Sequence, residues 1–191
     1  MPQTVKAWTR QDKRIMDDIE RLGRYTVKRE YIREKNMEIA DYYLDLYDWY
    51  TRKAQSIVER PSDAEYPIWL FLDKASRLPP IEGTVCLELD VPKELIVFTD
   101  VERWGYRVNY MYIPLNDADT RAHEEELKRN GIVNETALIQ TDKGNFYPLL
   151  KQKIIKSWDR VFADVSTGSG LCQGTIWEIR KEWISGIEYG G

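Results

Sequence analysis

The chain has one histidine, two cysteines and no apolar stretch near the roughly 18 residues needed to cross a bilayer. Each shortage removes a class of chemistry. A Ser/His/Asp or Cys/His hydrolase needs a partnered histidine. The single His123 lies in the run His123-Glu-Glu-Glu126 of a polar segment, so a surface position is expected for it. No Cys/His set has zinc spacing, and no metal is expected. Neither Gly-x-Gly-x-x-Gly nor a Walker lysine loop is present, which disfavours Rossmann and P-loop nucleotide binding. Cys86 and Cys172 sit in apolar, strand-like runs, where buried free thiols suit a reducing compartment better than a disulfide. No apolar run follows the basic residues of the first ten positions, so no secretory signal is expected. A cytoplasmic protein without a membrane partner is the expectation.

What remains is the composition of a globular protein. The 191 residues suit one domain, 1–191, and the hydrophobic (42%) and charged (31%) fractions argue against disorder. Seven Trp and twelve Tyr are a surplus suited to cores and to cleft walls. The net charge of −4 is uneven, because residues 1–35 hold ten Lys/Arg against six Asp/Glu. Arg21, Arg24, Lys28, Arg29, Arg33 and Lys35 form a cluster that could face phosphates or simply a solvated helix and loop.

Along the chain, Val5 to Trp8 reads as a short strand, with Thr9 as N-cap of a helix carrying Ile15, Ile19 and Leu22 and stopped by Gly23. Tyr25 to Val27 reads as a second short strand. A long helix is expected from about Met37 to Val58, with Ile39, Tyr43, Leu46, Tyr50 and Ile57 on one stripe. Tyr66 to Leu72 is a compact apolar strand. Thr84 to Leu89 is expected to pair with Leu95 to Phe98 across a turn at Pro92. Asn116 to Asn130 is a polar helix, and Leu150, Ile154, Trp158 and Val161 mark an amphipathic one. A Ser166–Gly170 loop precedes a closing hairpin, Leu171 to Ile179 and Trp183 to Tyr189. Strands at both ends and helices between them predict an α+β fold: a mixed, split β-sheet with flanking helices and long-range pairing of terminal and central strands.

Three polar-aromatic clusters stand at strand ends. Trp8-Thr9-Arg10-Gln11 serves equally as a helix cap with a buried Trp. Tyr66-Pro-Ile-Trp69 serves equally as a core strand opened by proline. In Gln173-Gly-Thr175-Ile-Trp177-Glu178, period-two alternation puts Gln173, Thr175 and Trp177 on one face, with Cys172, Ile176 and Glu178 on the other. If Glu178 faces the core it must be paired or lie near the strand end; otherwise Gln173 and Thr175 are the buried polar groups.

At these residues the chain resembles a bacterial family known as domain of unknown function 3841. The likeness rests on Trp8-Thr9-x-Gln11, Tyr66-Pro-Ile-Trp69, Cys86 to Pro92 followed by Phe98-Thr-Asp100 and Trp104, Ser157-Trp-Asp-Arg-Val-Phe162, and Gln173-x-Thr175-x-Trp177-Glu178. More distantly, the order strand, helix, short strand, long helix, central strands and closing hairpin resembles small ADP-ribosyltransferases. That resemblance implies NAD as the donor. Gln173 or Thr175 would stand near the catalytic-acid position, and Glu178 would substitute if the register differs. Trp8 and Thr9, with Arg10 and Gln11, would stand where the dinucleotide is held, and Tyr25 or Tyr31 would stack on nicotinamide. The chain has Trp8 where that family has His or Arg, and Gln173-x-Thr175 in place of Gln/Glu-x-Glu.

Two functions follow as expectations. One is an NAD-using transferase, an intracellular toxin or phage-defence effector with a nucleic-acid or protein acceptor and a neutralising partner. The other is a non-catalytic binding module whose aromatic cleft takes nucleic acid, peptide or a small ligand. Tyr66, Trp69 and Trp177 belong to the cleft in either case, and the enzyme reading expects residues 8–11 and 173–178 to line the same cleft, side by side as neighbouring strands.

Overall fold

Val85, Leu87, Leu89 and Val91 alternate with Thr84, Cys86, Glu88, Asp90 and Pro92, and the four aliphatic residues are fully buried. A computed structural model describes residues 3–30, 40–165 and 170–191. The chain condenses into two compact units, one formed by Met1–Thr99 with Thr167–Gly191, the other by Asp100–Ser166.

In the first unit the strands are β1 (Thr4–Asp12), β2 (Arg24–Tyr25), β3 (Ile68–Phe71), β4 (Thr84–Pro92), β5 (Val97–Asp100), β6 (Cys172–Ile176), β7 (Ile179–Arg180) and β8 (Ile184–Tyr189). Six of them form one sheet in the order β5-β6-β3-β1-β4-β8, while β2 and β7 pair separately. The pairings of β3 with β1 and β6, and of β4 with β1 and β8, are antiparallel. The sheet with flanking helices is the expected α+β class, and terminal strands do pair with central ones.

One face is the core. Ala7, Ile68, Leu70, Val85, Leu87, Leu89, Val91 and Ile176 pack there with Ile15 and Ile19 of helix α1 (Ile15–Leu22), Ile179 and Trp183. Each fully buried aliphatic side chain stabilises by about 1.5–3 kcal/mol, enough to fix which face of each strand turns inward. Gly23, at φ 73°, ends α1 as expected. Helix α2 spans Ala40–Ala54, and the expected start at Met37 lies outside the described residues.

Three expectations about local pairing are overturned. Thr9 is not a cap, because β1 continues to Asp12, and the residue preceding α1 is Arg14, whose side chain makes no cap hydrogen bond. Nine backbone pairings with β4 outweigh one capping bond. Strand β4 does not form a hairpin with β5; both its edges are taken by β1 and β8, and β5 lies at the opposite end of the sheet beside β6. The closing segment is not a hairpin either. Strand β6 joins β3, β7 joins β2, and β8 joins β4.

The second unit holds α3 (Val101–Val108), α4 (Asp117–Arg129), α5 (Ala137–Gln140) and α6 (Pro148–Ser157). Leu150, Ile154, Trp158 and Val161 are all buried, as the spacing predicts. No helix among the described residues is long and apolar enough to cross a membrane.

Candidate functional site

Register places one row of side chains across four strands. Gln173 of β6 pairs with Phe71 of β3, Phe71 with Trp8 of β1, and Trp8 with Glu88 of β4. Paired residues share a face, so all four lie opposite the apolar core. With strands about 4.8 Å apart, Trp8 and Gln173 stand roughly 10 Å apart, with a phenyl ring between them. Residues 8 and 173 are therefore brought to one face but not to neighbouring strands, since β3 separates β1 from β6.

Within this row Trp8 is 7% exposed, and its Nε1 donates to Glu88 Oε2 at 3.1 Å. Lys6 Nζ donates to Glu88 Oε1 at 2.8 Å. The Lys6 ammonium and the Trp8 indole hold the Glu88 carboxyl below its ordinary range, so it is ionised at neutral pH. Gln173, Phe71 and Glu88 are each partly exposed. Arg10 is on the same face and donates to the Pro79 carbonyl at 3.1 Å. Sequence reasoning missed Glu88 as a site residue. The alternation that turns Leu87 and Leu89 inward was the signal that turns Glu88 outward with Cys86 and Asp90.

The other named residues divide by burial. Thr9 and Gln11 belong to the alternate positions of β1. Thr9, 1% exposed, donates to the Trp69 carbonyl at 2.9 Å and accepts from Gln11 Nε2 at 2.8 Å. Thr175 is buried, its hydroxyl 3.0 Å from the Tyr50 hydroxyl. Trp69 packs on the Tyr50 ring at 4.9 Å between centroids, and Trp177 Nε1 donates to the Val58 carbonyl at 2.9 Å. Glu178 is buried and paired, accepting from Arg24 Nη1 and Arg180 Nε, each at 2.6 Å. Pairing was one of the two outcomes a core-facing Glu178 allowed. Tyr25 is in the apolar core, and Tyr31 lies outside the described residues.

Tyr66 instead lines a polar cavity of about 280 Å³ with Arg29, Asp48, Thr51, Arg52 and Arg60. Its hydroxyl donates to Asp48 Oδ1 at 2.6 Å and accepts from Arg29 Nη1 at 3.1 Å. Burial, then the bond to Asp48, pushes the Tyr66 phenol above its ordinary range, so it stays protonated. The basic cluster is largely neutralised. Arg21 meets Asp18, Arg24 meets Asp63 and Glu178, Lys28 donates to the Asp63 carbonyl and Arg29 meets Asp48. Arg33 and Lys35 lie outside the described residues. Both cysteines are buried, and neither is in a disulfide.

His123 is not on the surface. It is 4% exposed, with Nε2 2.8 Å from Glu135 Oε2 and its ring stacked on Tyr112 at 4.1 Å. The polar composition of α4 concealed one inward face. Beside it, Asp119 accepts from the Leu115 amide at 2.8 Å and from the Tyr112 hydroxyl at 2.9 Å, with Arg160 at 3.3 Å. The Leu115 amide, then the Tyr112 hydroxyl and the Arg160 charge, hold the Asp119 carboxyl below its ordinary range. A depressed carboxylate stabilises fully above the unfolded range and loses that contribution as pH falls through the folded value. Asp119→Asn should therefore lower stability at pH 7 and flatten its decline below about pH 4. Urea titrations of both proteins at pH 7 and pH 3 check this, and parallel pH curves would refute it.

The fold and site define an α+β protein whose central antiparallel sheet has one apolar face and one polar-aromatic face. The model of a family described as Domain of unknown function (DUF3841) matches residues 6–185, and the chain belongs to that family. No curated protein and no solved structure matches the chain.

Proposed function

We propose that the chain is an ADP-ribosyltransferase-like enzyme that takes NAD on the polar-aromatic face of β6, β3, β1 and β4. The observation that carries this reading is the single cross-strand row Gln173, Phe71, Trp8 and Glu88. It offers an amide to a ribose hydroxyl, aromatic surface to the nicotinamide and an ionised carboxylate to a developing positive charge. The opening elements, strand β1, helix α1, short strand β2 and helix α2, follow the order the resemblance implies, whereas the closing segment does not form the hairpin it implies.

In the proposed reaction the bond between ribose C1′ and the nicotinamide nitrogen breaks. Nicotinamide leaves with the electron pair, and a nucleophile on the acceptor bonds to C1′ and releases its proton to solvent. The residues serve by position and charge: Glu88 stabilises the cationic ribose, and Gln173 orients it. Thr175 and Glu178 hold β6 and its continuation in place, because their polar atoms are occupied by Tyr50, Arg24 and Arg180.

The test is release of nicotinamide from NAD, and transfer of labelled ADP-ribose, by the wild type and by Gln173→Ala and Glu88→Gln. Losses of tenfold or more are expected in both variants, on the scale of losing one preorganised polar contact. Absence of turnover in the wild type, or unchanged rates in both variants, would overturn the proposal.

A further inference from the structure

Residues 143–158 contain four lysines and no aspartate or glutamate, in a chain whose net charge is −4. They comprise the turn before α6 and α6 itself, within the second unit. Leu149, Gln152, Lys153 and Lys156 fall on one side of α6 at offsets of three, four and seven from Leu149, and Arg160 follows in the short turn Trp158–Phe162. With Tyr112 and Ser157 they line a groove of about 370 Å³.

The groove has a cationic wall on an aromatic floor. Lys153 Nζ lies 4.9 Å and the Arg160 guanidinium 5.2 Å from the centre of the Tyr112 ring, which holds both heads in place. Behind them Glu126 meets Lys153 at 2.7 Å and Asp119 meets Arg160 at 3.3 Å. No carboxylate lines the groove. Lys156 is exposed and has no acidic partner among the described residues. At the other, N-terminal end of α6, Phe146 is 80% and Leu149 86% exposed.

We propose that this stripe of α6 binds a single-stranded nucleic acid. Lys153, Lys156 and Arg160 would meet phosphates, while Phe146 and Leu149 offer apolar surface to bases. Strands without secondary structure are bound by this pairing of a basic groove with stacking surface. A membrane surface fits less well, because an interfacial helix inserts a broad apolar face. Here Leu150 and Ile154 are consumed by the unit's own core, leaving two exposed apolar side chains. The inference is independent of the NAD reading, since binding needs no donor.

The test is fluorescence anisotropy of the full chain with labelled oligouridylate and oligothymidylate of about 12 nucleotides, across a salt series without NAD. Lys153→Gln with Lys156→Gln should weaken binding about tenfold and make the log–log salt slope shallower by roughly 1.4, or 0.7 per lost contact. Phe146→Ser with Leu149→Ser should weaken binding about tenfold with the slope unchanged, as expected for lost stacking. Lack of oligonucleotide binding by the wild type, wild-type affinity in both double variants, or capture by anionic phosphatidylserine vesicles in preference to oligonucleotides would each overturn it. Far-UV circular dichroism of the variants, all altered at surface or partly exposed positions, establishes that they are folded.

Discussion

Tyr50→Ala is expected to destabilise the protein by about 3–5 kcal/mol, the range for removing a large buried ring. Tyr50 is fully buried on α2 and reaches three strands at once. Its ring rests on Trp69 of β3, and its hydroxyl lies 2.5 Å from Thr99 Oγ1 of β5 and 3.0 Å from Thr175 Oγ1 of β6. Burial drives the phenol well above its ordinary range, so it is neutral at pH 7. Tyr50→Phe separates packing from hydrogen bonding. It should cost about 1–3 kcal/mol, because two buried threonine hydroxyls lose a partner. Thr175→Val should cost a similar amount, and the double variant should cost less than the sum of the two. Urea unfolding measures all three. Additive losses would show that the hydroxyls do not cooperate, and Thr175 would then be free for another role.

Gly144→Ala is expected to cost about 3 kcal/mol in the second unit, at the upper end for overpacking. A Cβ at Gly144 would stand 1.9 Å from the Leu138 carbonyl oxygen and 2.8 Å from Lys151 Cδ. The lysine stem can swing away, but the backbone carbonyl cannot without displacing α5. Gly105, also in this unit, has nothing within 4 Å of such a Cβ, so Gly105→Ala supplies the control. It should be neutral or slightly stabilising, as an alanine in helix α3 normally is. Thermal unfolding of the two variants reads the contrast, and equal melting temperatures would sink the argument.

Much of the local structure was legible from residue spacing. The apolar stripe of α6, the stop at Gly23 and the inward set on β4 all follow from periods of 3.6 and 2. The pairing partners were not. Leu95 to Phe98 is near β4 in sequence, and a hairpin was the economical guess, yet β4 is taken on both edges by strands from the chain ends. His123 misled for a related reason. Its neighbours are charged, and only the distant residues Tyr112 and Glu135 make its position an interior one. The candidate row was half visible. Trp8 and Gln173 stood out as polar or aromatic residues on strands, whereas Phe71 and Glu88 looked ordinary until the register aligned them.

By itself the sequence determined which apolar residues turn inward on β4 and α6, because alternation and helical spacing are properties of the local chain. It also showed that neither Gly-x-Gly-x-x-Gly nor a Walker lysine loop occurs in the chain. Tertiary structure alone decided that β3 stands between β1 and β6, that Glu178 is held by two arginines, and that Glu88 shares a row with Trp8. Strand order and long-range ion pairs depend on which distant surfaces bury the most apolar area together. That is a sum over the whole molecule, which no local pattern contains.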